Sequence, residues 1–62
     1  MAISWRRLNE VLPHLTEEQV LNMLNEERQL FRRVTILERL HQRYTTLRAA
    51  RERMEILKEA TR

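Results

Sequence analysis

Residues 33–57 read RVTILERLHQRYTTLRAARERMEIL, and they decide the fold because neither Gly nor Pro interrupts them. Leu40, Leu47 and Met54 recur at every seventh position, which places them on one stripe of a helix. Further apolar residues at helical spacing widen this stripe to the breadth of a core-facing helix: Ile36, Leu37, Tyr44, Ala50 and Leu57. The pattern predicts a long helix over residues 33–60 whose apolar face another surface must cover.

A short helix is predicted at the N-terminal end. Ser4 can act as its N-cap, with Ile3 and Leu8 forming a hydrophobic staple. Pro13 disfavours helical geometry at the residue before it, so we expect this helix to occupy residues 5–12.

Trp5 lies on the same face of this short helix as Leu8 and Leu12. We expect the indole to fold onto the core of the chain, because a helix this short gains most from burying its largest side chain. The alternative is that Trp5, next to Arg6 and Arg7, anchors the chain at a membrane interface.

A second helix has the clearest start signal in the sequence. The Thr16 hydroxyl can accept from the backbone of Gln19 while the Gln19 side chain reaches back, and Glu17 and Glu18 suit the positive end of the helix dipole. We therefore expect a capped helix over residues 17–29.

The junction between the second and third helices has two interpretations. On one continuous helix, at about 100° per residue, Val20, Leu24 and Phe31 point almost opposite to Leu40. A turn near residues 29–33 is favoured, with Asn25 as the nearest residue suited to left-handed geometry; the alternative is one unbroken helix with a phase shift. The predicted fold class is all-α, a helical hairpin or coiled-coil-like bundle completed by self-association.

The size of the chain points to a partner. A single domain of 62 residues has a thin core, and such domains usually need disulfides, a metal or self-association. Cysteine is absent, and the histidines, His14 and His41, are far apart, so we predict no metal site. We therefore expect the thin core to be stabilised by formation of a homo-oligomer, with a dimer favoured, or by docking on a host or viral protein. A further alternative is a subunit that is ordered only beside its partner.

Charge is segregated along the chain. Residues 9–27 contain five glutamates and no basic residue, whereas residues 28–53 contain eight arginines and two glutamates. If the basic segment is helical, four arginines form a stripe suited to phosphates: Arg28, Arg32, Arg39 and Arg43. The alternative, which the neighbouring glutamates favour, is that the arginines pair with the acidic segment.

Catalytic residue types are nearly absent. The sequence has no Asp, Cys or Gly and one Ser, which serves as a helix cap. No nucleophile with a partner base and no phosphate-binding loop can be assembled from these residues, so we expect neither an enzyme nor a cofactor. His41, at the margin of the apolar stripe, is interpreted as a half-buried core-edge residue, with a pH switch as the alternative.

Targeting signals are not recognisable. The start MAISWRRLNE lacks the apolar region of a signal peptide, and no apolar run reaches the ~20 residues that span a bilayer. We expect the chain in the cytoplasm, without membrane association.

LERLHQRYTTLRAARERMEIL, preceded by the capped LTEEQVLNML, resembles the small helical proteins that bacteriophages and prophages encode, many of which have no assigned function. The resemblance covers roughly residues 15–57 and lies in Leu-Thr-Glu-Glu before an arginine-rich amphipathic helix. It implies a viral or prophage source, hence the cytoplasm of a host cell, and transfers no functional residues.

The sequence thus predicts a non-enzymatic interaction or assembly module that self-associates through the face from Leu37 to Leu57. The predicted oligomer interface consists of eight residues: Ile36, Leu37, Leu40, Tyr44, Leu47, Ala50, Met54 and Leu57. The alternative function is a small nucleic-acid-binding regulator that contacts phosphates through the arginine stripe.

Overall fold

The computed structural model describes residues 2–61 and confirms the all-α fold class. Helix α1 spans Trp5–Val11, α2 spans Glu17–Gln29 and α3 spans Val34–Ala60, with a 3₁₀ turn at Leu12–His14 between α1 and α2. Of the two interpretations of the junction, the structure has two helices joined by a turn at residues 30–33. The bounds agree with the predicted ones to within one residue.

The start of each short helix follows from local capping. The Ser4 hydroxyl accepts from the Arg7 backbone N–H at 3.2 Å. The Gln19 backbone N–H donates to the Thr16 hydroxyl at 3.2 Å, while the Thr16 N–H donates to Gln19 Oε1 at 2.9 Å, completing a capping box. α1 ends at Val11 because Pro13 has no N–H with which to continue the helical ladder.

Replacing Thr16 with alanine should therefore cost about 1 kcal/mol of unfolding free energy, because the Gln19 N–H loses its acceptor. Urea denaturation followed by far-UV circular dichroism measures the loss. Thr45, exposed on α3, provides the control, since Thr45→Ala removes no cap. Equal stabilities for the two variants would contradict the role of the capping box.

The core forms where α1 and the antiparallel pair of α2 and α3 meet. Six apolar side chains from these segments are buried together: Leu8, Leu12, Val20, Leu24, Ile36 and Leu40. Partly buried side chains surround this cluster: Ile3, Leu15, Met23, Leu37, Tyr44 and Leu47. Most of the apolar stripe of α3, up to Leu47, is thus covered within the chain itself.

The molecule is elongated because α3 is much longer than α2. At about 1.5 Å per residue, the 27 residues of α3 extend about 40 Å, whereas the 13 residues of α2 extend about 20 Å. The Cα radius of gyration is 13.8 Å, against about 10.5 Å for a compact chain of this length. Every residue from 48 to 60 is exposed. We call residues 48–60 the arm.

Two residues that the sequence assigned to the core are exposed. Met54 is 68% exposed because α2 and α1 end before reaching it. Trp5 is 51% exposed. It lies beside the polar side of α3, where it borders a depression with Thr35 and Gln42. Leu8 and Leu12 fill the core position that was expected to accommodate the indole.

Candidate functional site

The turn between α2 and α3 is closed by one ion pair, Glu27 with Arg33. Arg33 Nη2 donates to Glu27 Oε1 at 2.6 Å, and Arg33 Nε donates to Oε2 at 2.9 Å, so the guanidinium grips the carboxylate with two parallel bonds. The Arg33 backbone N–H also donates to Oε2, at 3.0 Å. We call this pair the clasp.

The clasp also ties down the N-terminal segment and the turn itself. Arg33 Nη1 donates to the Ile3 carbonyl at 2.7 Å. The Arg32 backbone N–H donates to the Glu27 carbonyl at 2.7 Å. Arg32 has φ 52°, a left-handed conformation that costs a non-glycine residue roughly 1–2 kcal/mol. Arg32, rather than Asn25, therefore supplies the left-handed residue of the turn.

Because Glu27 is buried, its carboxylate needs the Arg33 guanidinium as a partner. Glu27 is only 4% exposed, so its charge is removed from water and must be compensated. Hydrogen bonding from Arg33 holds the pKa of Glu27 below its ordinary value, against the opposing effect of desolvation. The same bonds raise the pKa of Arg33. Such an arrangement positions helices and leaves no free carboxylate for acid–base chemistry.

The sequence contained a signal for the clasp, but it was overlooked because Glu27 is charged and the buried stripe was traced from apolar residues alone. Val20, Leu24 and Glu27 lie at i, i+4 and i+7, so Glu27 occupies the next position of the buried stripe of α2. A glutamate at such a position indicates a buried, paired carboxylate. Arg33, six residues further on, could be assigned as its partner only once the turn was known.

The fold divides the four arginines of the predicted stripe into two pairs. Arg28 and Arg32 remain adjacent, with Arg32 Nε donating to the Arg28 carbonyl at 3.2 Å. Arg28 lies on α2, Arg32 lies in the turn, and Arg39 and Arg43 lie on α3. The stripe required a continuous helix, and the turn removes it. Arg39 Nε donates to Asn9 Oδ1 at 3.0 Å, which ties α1 to α3. The Nε atom of Arg43 is buried and has no hydrogen-bond partner within residues 2–61.

Pairing between the basic and acidic segments does occur, through other arginines than those four. Arg33 pairs with Glu27, and Arg51 Nε lies 2.9 Å from Glu17 Oε1. Arg51 also contacts Glu55 at 3.1 Å, and hydrogen bonds with both glutamates raise the pKa of Arg51. The two interhelical bridges thus stand at opposite ends of the α2–α3 pair.

Fewer residues are available for an oligomer interface than the sequence predicts. Ile36 and Leu40 are buried in the chain's own core, because α1 and α2 cover this part of α3. Leu37, Tyr44 and Leu47 pack against the same core. A second copy cannot reach Ile36 or Leu40 while this fold is retained. Three residues of the predicted interface remain exposed, all on the arm: Ala50, Met54 and Leu57.

Three exposed apolar residues of the arm, Ala50, Met54 and Leu57, continue the core face of α3. At about 100° per residue, Ala50, Met54 and Leu57 point within about 60° of one another and in the direction of Ile36. Met54 and Leu57 are 68% and 51% exposed. We call these three residues the arm face.

Basic side chains flank the arm face. Met54 and Leu57 border a shallow depression together with Arg51 and Lys58. Arg53 lies on the other side of the arm face, about 100° from Met54 around the helix. We call Arg51, Arg53 and Lys58 the rim. Sequence periodicity placed the arm face on the core stripe and Arg51 near the edge of that stripe, whereas Arg53 and Lys58 were not recognised from sequence.

The described residues provide neither a half-buried histidine, nor a metal site, nor a membrane-spanning helix. His41 is exposed at the edge of α3 rather than half-buried. Within residues 2–61, no group of three or more His, Cys, Asp or Glu side chains could hold a metal ion. In the same part of the chain, none of the helices combines the length and apolarity needed to cross a membrane.

No family model matches the chain, and neither a curated protein nor a solved structure is detectably similar to it. The geometry and charge of its own residues are therefore what bear on its function.

Proposed function

We propose that this chain is a non-enzymatic protein-interaction module in which a clasped helical hairpin presents the arm to a partner. The single observation that carries the proposal is the exposure of Met54 and Leu57 in line with the buried face of α3. The same helix face is core up to Leu47 and uncovered beyond it. An apolar face without an internal partner is typical of a docking surface.

The arm suits the recognition mode in which a helix lies in an apolar groove. Ala50, Met54 and Leu57 follow the i, i+4, i+7 spacing of anchors in that mode. An isolated helix as short as the arm would be marginal in water. As the continuation of α3 it is formed in advance, which lowers the ordering cost of binding.

Nucleic-acid binding through the arginine stripe is less favoured by the geometry. Arg39 is bonded to Asn9, part of the Arg43 guanidinium is buried, and the turn places Arg28 on a different helix. A phosphate-binding surface needs its guanidinium groups free and adjacent.

Capture of an apolar helix by the arm tests the proposal. The probe is a synthetic helical peptide of about three heptads with leucine at the core positions and neutral glutamine beside them. It is attached sparsely to a sensor surface so that it cannot pair with itself. The chain should bind this peptide, because the arm face offers complementary anchors.

Matched variants locate the binding surface. Leu57→Gln should weaken binding at least about tenfold, since an anchor is lost. Ile56→Gln should leave it unchanged, because Ile56 is also exposed, at 63%, but lies outside the arm face, about 100° from Leu57 around the helix. Absence of binding, or equal loss in both variants, would overturn the proposed function.

A further inference from the structure

We infer that the arm recognises a different protein whose apolar docking surface is edged with carboxylates, rather than a second copy of this chain. This inference rests on the proposed function and identifies the chemistry of the partner. It follows from the charge of the rim and from the continuity of the arm face with the core.

The rim is basic at the positions that a docked partner must face. Arg51 and Lys58 flank the arm face on one side and Arg53 flanks it on the other. Among residues 2–61, neither Arg53 nor Lys58 takes part in a salt bridge. The arm's glutamates lie further around the helix, and two of them, Glu52 and Glu55, pair with arginines of the arm itself.

Pairing two copies through their arms would place like charges together. In a parallel pair, Arg53 of one copy would face Lys58 of the other. In an antiparallel pair, Lys58 would face Arg51 in one register, and Arg53 would face its own counterpart in another. Arg51 is already paired with Glu17 and Glu55, so the second register brings together the less compensated charges. Each of these arrangements brings cations of the two copies together, whereas a partner with carboxylates opposite Arg53 and Lys58 gains attraction at both positions.

A lipid surface fits the arm less well than an acidic protein surface. The arm face has no aromatic residue, and the arm carries three glutamates against four basic residues. Helices that lie in a membrane interface usually have large apolar residues, often aromatic, opposite a strongly basic face.

The test compares three peptides that differ only beside their leucine core: the neutral glutamine peptide, one with glutamate and one with lysine at the flanking positions. The chain should bind the glutamate peptide at least about tenfold more tightly than the lysine peptide, and added salt should reduce this ratio. Equal binding of the three would overturn the inference and leave the proposed function standing. Binding of none would overturn both.

A charge exchange gives a second, independent readout. The double variant Arg53→Glu with Lys58→Glu should reverse the preference and bind the lysine peptide more tightly. Arg6→Glu is the matched control, because the exposed Arg6 on α1 lies outside the arm, and it should keep the original preference. Retention of the glutamate preference in the double variant would contradict recognition through the rim.

Sedimentation equilibrium of the parent chain and vesicle flotation complete the test. The chain should remain monomeric at concentrations at which it binds the glutamate peptide, and vesicles of phosphatidylserine and phosphatidylcholine should not retain it. A dimer that Leu57→Gln dissociates would assign the arm face to a second copy and overturn the inference. Vesicle binding that the same variant abolishes would assign it to a lipid surface.

Discussion

Replacing Arg33 with alanine is expected to destabilise the fold strongly, because it breaks an ion pair whose carboxylate is buried. The variant leaves Glu27 charged, 4% exposed and without its guanidinium partner. It also removes the donor to the Ile3 carbonyl. Because a domain of this size rarely has more than ~3–5 kcal/mol of stability in total, this variant should be only marginally stable, with a much lower urea midpoint than the parent.

Arg51→Ala is the matched control for this variant. It removes the other arginine that bridges α3 to α2, but the Arg51 side chain is 49% exposed and its partner Glu17 is 26% exposed. A bridge that remains in water should contribute little to stability. Urea denaturation compares the two variants, and a loss in Arg51→Ala as large as that in Arg33→Ala would show that burial is not what makes the clasp important.

The clasp should also make stability depend on acid. The folded pKa of Glu27 lies below its ordinary value, so the unfolded chain binds the proton more readily. The pair therefore contributes its full stability above about pH 4.5, the ordinary range of a glutamate, and loses it as the pH falls through the lower folded pKa. Glu27→Gln lacks this titration. The stability difference between parent and Glu27→Gln should shrink on acidification, and a constant difference would contradict this assignment.

Leu40→Ala is expected to cost about 3 kcal/mol. Leu40 is 1% exposed and belongs to the cluster that α1, α2 and α3 share, so truncation leaves a cavity that this small core cannot fill. Denaturation monitored by circular dichroism should show a lower urea midpoint than that of the parent.

Met54→Ala provides the comparison on the same helix. Met54 is one of the predicted stripe residues but lies on the arm, so its truncation should change stability by no more than about 0.5 kcal/mol. Both midpoints should be independent of protein concentration, because the core is formed within one chain. Equal losses for Leu40→Ala and Met54→Ala would mean that the arm face is buried in the isolated molecule and free for no partner.

What the sequence determined by itself is the local structure. Thr16 and Gln19 fix the start of α2, because a capping box involves residues three apart and needs no tertiary contact. The long run without Gly or Pro predicted α3, and the opposed directions of Leu24 and Leu40 favoured a turn between the helices over one continuous helix. Such signals act within one or two helical turns and can be seen in a linear sequence.

Only the tertiary structure decided which part of the stripe is core and which part is docking surface. Leu40 and Met54 are equivalent in the heptad pattern, yet Leu40 is buried and Met54 is exposed. The difference arises because α2 begins at Glu17 and reaches no further along α3 than Arg51. That limit depends on the relative lengths of the two helices and on the turn that sets them side by side. The turn in turn depends on the clasp, a contact between a buried carboxylate and an arginine on the other side of the turn. Periodicity records the direction of each side chain around its own helix, and it contains no information about where a neighbouring helix stops.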